Sequence, residues 1–320
     1  MTILVTGGAG FIGSNYLHYL VDYHPDYKII NVDVLTYAGD LKKIEDIKDK
    51  IDTWAVDICD RHKINYIFET YKPDMVVHFA AETHVDNSIA NPSAFVRTNV
   101  EGTGVLLDAC LQYKVKRFHY VSTDEVYGDL PLDRPDLLFT EDSPLKPSSP
   151  YSATKTAGDM LTLAYGRTYG LPVSVSRCSN NYGRHQHEEK LIPHMIKKAL
   201  NNERLPVYGD GLNVRDWLHV WDHCAAIDLI IHNESTLGEV YNIGGNNEIT
   251  NIEIVKIICD RFNKSYDKIQ YVQDRPGHDR RYAIDSSKLQ ALGWKPQIDF
   301  NDGITDTAEW YAIEFSEDKQ

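Results

Sequence analysis

The segment Ile3-Leu4-Val5-Thr6-Gly7-Gly8-Ala9-Gly10-Phe11-Ile12-Gly13 decides the fold. Three apolar residues run into a glycine cluster, and an apolar helical stretch (Tyr16, Leu17, Leu20, Val21) follows and stops near Pro25. Next comes Tyr27-Lys28-Ile29-Ile30-Asn31-Val32, strand-like and ending in Asp33. The order is strand, glycine turn, helix, strand, acid. Gly8, Gly10 and Gly13 fit GxGxxG, and Gly7, Gly10 and Gly13 fit GxxGxxG. Such turns let the amides of a helix N-terminus approach a pyrophosphate. Alone the pattern is weak, because glycine turns recur in folds that bind nothing. Here it follows a strand and opens a helix. Asp33 stands twenty residues after Gly13, where an acid accepts hydrogen bonds from an adenosine ribose and repels a 2′-phosphate. The residues after it are Val34-Leu35-Thr36 with no arginine, so NAD is expected rather than NADP.

The alternation continues outward. Residues 53–56, 75–79, 117–121 and 173–176 read as strands, and 61–71 and 92–113 as helices. Continuous apolar strands alternating with helices predict an α/β fold, a Rossmann-type doubly wound parallel sheet covered on both faces. Ser149 suits an N-cap and Pro150 the first turn of a long helix that Gly170 and Pro172 would end. After Cys178 the alternation fades, and a domain change is expected near residue 180. The reading is an NAD-binding domain over 1–179, to which 217–244 returns. A smaller C-terminal α/β substrate domain then takes 180–216 and 245–320. The tail 316–320 is expected to fray.

Composition narrows the class. The 320 residues carry a net charge of −14, which argues against a protein that coats nucleic acid. A small anionic ligand stays open, since a few local Arg and Lys dominate a cleft. No apolar run reaches the roughly 20 residues of a membrane span, and the start lacks the pattern of a signal peptide. The five cysteines include no CxxC pair, so neither a disulfide framework nor a zinc ribbon is expected, and the cytoplasm is the expected setting. His185 with His187 and His219 with His223 have metal-ligand spacings but lack a third ligand, so no metal is expected. Cys178 reads as packing, and Ser122 has no His/Asp arrangement of a hydrolase.

Ligands of parallel sheets bind beyond the carboxyl ends of the strands. Three polar clusters fall there: Ala80-Ala81-Glu82-Thr83-His84, Ser122-Thr123-Asp124-Glu125-Val126-Tyr127-Gly128 and Cys178-Ser179-Asn180-Asn181. Tyr151 and Lys155 share one face of the long helix. An ammonium beside a phenol favours the phenolate, which makes Tyr151 a candidate base for an alcohol, while Lys155 can hold the nicotinamide ribose. Asp124 and Glu125 are adjacent acids, and both can serve one cleft only if the chain bends there. A plain tyrosine dehydrogenase has no need of that pair.

The chain resembles the extended short-chain dehydrogenase/reductases and, within them, the dTDP-glucose 4,6-dehydratases. The blocks that carry the resemblance include TGGAGFIGSN, NVDVLTYAG, FAAETHVDNSI, HYVSTDEVYG, SPYSATKTAGDML, YGDGLNVRDWLHV and DRPGHDRRYAID, and they span nearly the whole chain. STDEVYG is the most specific, since sugar epimerases of the same fold differ there. The resemblance implies Asp124 as acid, Glu125 as base, Thr123 as partner of substrate and tyrosine, and Tyr151 with Lys155 as the dehydrogenase couple. It implies NAD contacts at Phe11, Ile12, Asp33, Leu35, Thr36, Asp57, Ile58, Ala80, Ala81, Thr98 and Asn181, beside the glycines. Contacts with a sugar nucleotide are implied at Thr83, Asn180, Lys190, Leu191, Val207, Tyr208, Arg215, Asn242, Arg275 and His278. Arg215 and Arg275 also suit a pyrophosphate on their own chemistry.

Where the family continues with proline after Asn180-Asn181-Tyr182-Gly183, this chain has Arg184-His185-Gln186-His187-Glu188, so the loop before Lys190 departs from the pattern. The resemblance further implies a homodimer through helices at about 98–113 and 150–168. Val105, Leu106, Met160, Leu161 and Leu163 are there the apolar residues in excess of one sheet-facing stripe. The rival expectations are a 4-epimerase or decarboxylase on the same scaffold and a non-catalytic NAD sensor.

Overall fold

The computed structural model describes residues 1–317. In chain order the elements are β1 (Thr2–Thr6), α1 (Phe11–Tyr23), β2 (Lys28–Asp33), β3 (Ile51–Ala55), α2 (Arg61–Tyr71), β4 (Met75–His78), α3 (Val85–Ala90), α4 (Pro92–Phe95), α5 (Thr103–Gln112), β5 (Arg117–Thr123), α6 (Pro150–Tyr169) and β6 (Val173–Cys178). There follow β7 (Asn180–Tyr182), α7 (Leu191–Leu200), β8 (Leu205–Tyr208), β9 (Val214–His219), α8 (Val220–His232), β10 (Val240–Ile243), β11 (Glu248–Thr250), α9 (Asn251–Arg261), β12 (Ile269–Val272), α10 (Ser287–Gln290) and α11 (Phe300–Glu317).

Seven strands pair in parallel in the order β3-β2-β1-β4-β5-β6-β10. The order reverses between β1 and β4, so a crevice opens at their carboxyl ends. Side chains alternate across the sheet, and both faces are covered. Leu4, Ile30, Val76, Phe118 and Val175 join one core, while Ile3, Val5, Ile29, Val77 and Val121 join the other with Leu17 of α1 and Ile227 of α8. That double burial is why the strands are apolar without interruption.

The remaining strands form a three-stranded sheet, β11-β9-β7, and a two-stranded one, β12-β8. Met195, Trp217, Val255 and Ile304 are among the residues of their common core. Thus β9 sits in the smaller sheet, α8 returns to the large one and β10 extends its edge. Leu289 and Trp294 also pack against that edge, with Cys178 and Ile243.

Two predicted helices differ in detail. The stretch 92–113 is α4 and α5 joined by a π-helical segment, Val96–Gly102, a form that often marks functional sites. The predicted start of α6 is present as a capping box between Ser149 and Ser152, with Pro150 in the first turn and Gly170 as C-cap. At the tail, Ser316 and Glu317 continue α11 rather than fraying, and 318–320 lie outside the described residues.

Candidate active site

A cleft of ≈ 500 Å³ lies at the carboxyl ends of the large sheet. The glycine turn forms its floor. Gly7 has φ +75°, and a Cβ there would stand 2.6 Å from the Ala80 nitrogen; a Cβ on Gly13 would stand 2.2 Å from the Gly7 carbonyl oxygen. Only glycine fits either position. Gly10 caps α1 with no side-chain hydrogen bond and no acid in the first turn; the amides of Gly7, Gly8, Ala9 and Gly10 are bonded to Val32, Asn31, Asp33 and Gly7, which leaves the first helical turn to face an anion. Asp33 is held by two amides, Ala9 N at 2.9 Å and Leu35 N at 2.8 Å.

Phe11, Ile12, Thr36, Asp57, Ile58, Ala80, Ala81, Thr98 and Asn181 all line the cleft with the glycines. Leu35 does not; it follows Asp33 at φ +58° and meets it through its amide.

All five expected catalytic residues share this cleft. β5 delivers Thr123 and then tightens into a 3-10 turn, Asp124–Tyr127, which Thr123 caps by accepting from the Glu125 amide at 3.3 Å. In such a turn successive side chains diverge by roughly 120° rather than 180°, which supplies the bend that the two acids require. Asp124 Oδ1 accepts from Thr123 Oγ1 at 3.3 Å, and its Oδ2 is buried without a partner. Burial, reinforced by Glu125 and Asp216, holds Asp124 well above the usual carboxylate range. Burial also raises Glu125, while Arg275, Arg215 and Lys190 pull it back toward the carboxylate.

Tyr151 lies in the first turn of α6, and Lys155 one turn on. The expected phenolate is not what these residues set up by themselves. Burial, then the Glu125 charge, pushes Tyr151 well above its usual value. Lys155 Nζ donates instead to the Val121 carbonyl at 2.6 Å and lies 4.4 Å from the Tyr120 ring centroid, and burial lowers it to about 8.

The expected sugar-nucleotide contacts divide. Thr83, Asn180 and Lys190 line the cleft with Thr123, and Asn180 Oδ1 is buried without a partner. Arg215 is fixed by the carbonyls of Val214 (2.7 Å) and Asp279 (2.9 Å) and stacks on Tyr282, 4.3 Å from the ring centroid. Arg275 faces Asp86 at 3.7 Å. Leu191, Val207, Tyr208 and His278 lie outside the cleft wall; His278 is bonded to Asp274 at 2.6 Å, with the Tyr208 ring edge-on. Asn242 departs from its expected role. Its Oδ1 accepts from Tyr127 OH at 2.7 Å and its Nδ2 donates to the Phe139 carbonyl at 3.0 Å. It completes a buried network with the Arg177–Asp159 ion pair (2.8 Å) that braces β6 against α6.

The cleft also includes Glu82, from the polar cluster after β4, and residues that the sequence reading did not assign to it: Arg97, Gln186, His187 and Glu189. Arg97 pairs with Asp57 at 2.7 Å, and its position beside Thr98 was an available signal. The last three come from the departing loop, which is anchored by Arg184 on Asp306, Asn15 on the Arg184 carbonyl and Tyr311 on the Gln186 carbonyl. His185 stacks with His18 and meets Trp310 edge-on, His219 caps α8 and His223 bonds Asn181 at 2.8 Å, so neither spaced histidine pair converges on a metal.

A family model described as GDP-mannose 4,6 dehydratase matches residues 4–307. The dTDP-glucose 4,6-dehydratase of Shigella flexneri is 50% identical, over 97% of this chain and 92% of its own; that of Haemophilus influenzae is 48% identical, over 99% of each. The chain belongs to the dTDP-glucose 4,6-dehydratase family. Among solved members, the Bacillus anthracis enzyme in complex with NAD superposes with a TM-score of 0.91 at 47% identity, covering 99% of this chain and 98% of that one. The Streptomyces venezuelae enzyme with NAD and TYD bound gives 0.94 at 43% with the same coverage. UDP-glucose 4-epimerase of Thermotoga maritima has the same fold at 30% identity, with a TM-score of 0.91 over 98% of this chain and 100% of that one. Fold alone therefore does not separate dehydratase from epimerase.

Proposed function

We propose that this protein is a dTDP-glucose 4,6-dehydratase, a hydro-lyase that converts dTDP-glucose to dTDP-4-dehydro-6-deoxy-glucose with NAD as resident cofactor. The observation that carries the reading is the convergence of the Asp124–Glu125 turn and the Tyr151–Lys155 helix on one cleft. The residues fit the dinucleotide: the turn has no room for a Cβ at Gly7 or Gly13, and the first turn of α1 is uncapped. Phe11, Ile12, Asp33 and Asn181 would hold it from the cleft wall. When bound, NAD supplies a reversible hydride acceptor and a positive ring that favours the Tyr151 phenolate.

Tyr151 takes the proton of the C4 hydroxyl. A ketone at C4 acidifies the C5 hydrogen, which Glu125 removes. Asp124 gives its proton to the departing C6 hydroxyl, and water leaves. The hydride given up at C4 would be returned at C6 as Glu125 gives back the C5 proton, so the net change is loss of water. Lys190, Arg215 and Arg275 bring positive charge to the substrate side, where the pyrophosphate of a sugar nucleotide would need it. Turnover of dTDP-, UDP- and GDP-glucose, read as water loss by mass, tests the reading. A C4-epimer without water loss, or NAD binding without turnover, would count against it.

The reading extends to a homodimer, with a changed argument. Val105 and Leu106 are buried within the single chain, and Leu161 and Leu163 pack against the same core. What faces outward on α6 is a stripe of Ala153, Ala157, Met160 and Ala164, exposed or half-buried. Sedimentation as a monomer at micromolar concentration would oppose the dimer. The division into 1–179 with 217–244 against 180–216 with 245–320 is supported by α8 and β10 on the large sheet. Five free cysteines suit a reducing cytoplasm.

A further inference from the structure

We propose that His24, Asp228 and His232 form a binding site for a divalent first-row transition-metal ion at the end of the molecule away from the cleft. α1 begins at the glycine turn and His24 is its C-cap; thirteen residues place the two ends roughly 20 Å apart. Asp228 and His232 lie four apart on α8, one face of one helix. His24 Nε2 is 2.8 Å from Asp228 Oδ1, and His232 Nδ1 is 3.1 Å from the same oxygen. One ligand atom from each of the three residues lies within 4.8 Å of the others.

The spacing has a coordination meaning. With metal–ligand bonds of about 2.1 Å, two donors 2.8–3.1 Å apart subtend roughly 90° at the ion. That is the angle between neighbouring ligands of a square or octahedral centre, which Ni²⁺ and Cu²⁺ favour over the tetrahedral arrangement of Zn²⁺. Two imidazoles with one carboxylate also match the donor preference of these ions.

The surroundings orient the ligands. Tyr27 OH lies 2.8 Å from His232 Nε2, which fixes the ring with Nδ1 turned toward Asp228. The His24 ring stacks on Tyr27 at 4.5 Å and on His232 at 4.8 Å between centroids. An outer partner on the second nitrogen is the usual support of a metal-bound histidine. Side-chain exposures of 21%, 19% and 26% for His24, Asp228 and His232 give an ion an entry path and leave coordination positions to water. His232 Nδ1 is also 2.8 Å from the Asp228 carbonyl, so the ion displaces the proton shared there. Once bound, it would cross-link α1 and α8, which cover the same face of the large sheet. Its effect would be on stability and not on turnover.

The test uses tag-free, NAD-loaded protein stripped with a chelator and dialysed against Ni²⁺ and, separately, Zn²⁺. The expected result is one Ni²⁺ per chain, bound more tightly than Zn²⁺, with Tm rising by a few degrees at about a hundredfold excess over Kd. H24Q and H232Q should each weaken binding at least about tenfold, and Y27F by about 10-fold through the lost orienting hydroxyl. Dehydratase turnover should be unchanged in all three. In the unsubstituted protein Ni²⁺ should broaden the imidazole NMR signals of His24 and His232 before those of other histidines, a readout independent of how the variants fold. Substoichiometric binding, broadening that starts elsewhere, or affinity in H24Q and H232Q equal to that of the unsubstituted protein would overturn the site and leave a metal-free hydrogen-bonded staple between the two helices.

Discussion

The two sides of the cleft are made of different material. Toward β1 to β4 much of the wall is backbone: Gly7, Gly10, Gly13, Ala80 and Ala81, with the Asp33 carboxylate fixed by two amides. Toward the smaller sheets the charge comes from long side chains. Lys190 lines the cleft and reaches the Thr83 carbonyl at 3.5 Å, while just behind the lining residues Arg215 is clamped by the Val214 and Asp279 carbonyls and Arg275 leans on Asp86. A backbone wall admits no change without moving the sheet, and suits a part of the ligand that never varies. A side-chain wall can be altered one residue at a time, and suits the part that distinguishes one substrate from another. The reacting groups stand between them, on the end of β5 and the start of α6.

The largest effects should come from that boundary. Tyr151→Phe removes the acceptor of the C4 hydroxyl proton, so oxidation itself should fall about 10²–10⁴-fold. Glu125→Gln and Asp124→Asn should lose dehydration by a similar factor while substrate still reduces the bound nicotinamide near the normal rate. Single-turnover absorbance of the reduced nicotinamide, with quenched product analysis, separates the steps. Equal loss of reduction in Glu125→Gln and Tyr151→Phe, with NAD still bound, would refute this division of labour.

Arg275→Ala probes the side-chain wall. Losing a hydrogen bond to a charged group costs about 1.5–3 kcal/mol, so KM for the sugar nucleotide should rise roughly 10- to 150-fold, with NAD retention unchanged. The pH profile gives a second reading. Arg275 is the first of the cations that draw Glu125 back down from its burial-raised value. Without it the Glu125 pKa rises further, the carboxylate forms at higher pH, and the acid limb of dehydration moves upward. An unmoved limb together with an unchanged KM would remove Arg275 from the site.

Gly13→Ala does the reverse experiment on the backbone wall. The new methyl would stand 2.2 Å from the Gly7 carbonyl oxygen, which cannot yield without shifting the turn. Overpacking of this kind costs about 1–3 kcal/mol. A lower Tm and faster loss of NAD on gel filtration are expected, with the KM of the surviving holoenzyme little altered. If KM rose and NAD stayed, the two walls would not be separable.

The same contrast explains what could be read from the chain. The backbone wall is local: strand, glycines, helix and Asp33 lie within 33 residues, and each has a short-range signature. The acid pair needed more, because Asp124 and Glu125 share a cleft only through a turn that alternation cannot foresee. On the other side, Arg215 and Arg275 both act on the charge of Glu125 from segments far apart in sequence, a convergence that local pattern does not reveal. Asn242 shows how that fails. The resemblance implied a substrate contact, yet Tyr127 and Phe139, more than 100 residues away, take both ends of its amide. The Tyr151–Lys155 couple was likewise legible only in part. The spacing of Tyr151 and Lys155 was legible, but the carbonyl of Val121 that takes the ammonium was not.

The smallest expected effect concerns how firmly the boundary is held. Ser149 and Ser152 form a reciprocal box at the start of α6: Ser149 Oγ accepts from the Ser152 amide and Ser152 Oγ accepts from the Ser149 amide, each at 3.1 Å. Two otherwise unpaired amides are satisfied immediately around Tyr151. Replacing an N-cap serine by alanine costs about 0.5–2 kcal/mol. Ser149→Ala should therefore lower Tm by a few degrees at most. The chemistry gives the sharper reading. Pro150 presets the first helical turn, and the buried Asp159–Arg177 pair anchors α6 further along. With those two constraints intact, Tyr151 should keep its place, and the oxidation step measured by single turnover should change less than about threefold. A much larger loss, with NAD retention and the Arg275-dependent pH limb undisturbed, would mean that the cap positions Tyr151 directly, and that the boundary depends on one serine rather than on the body of the helix.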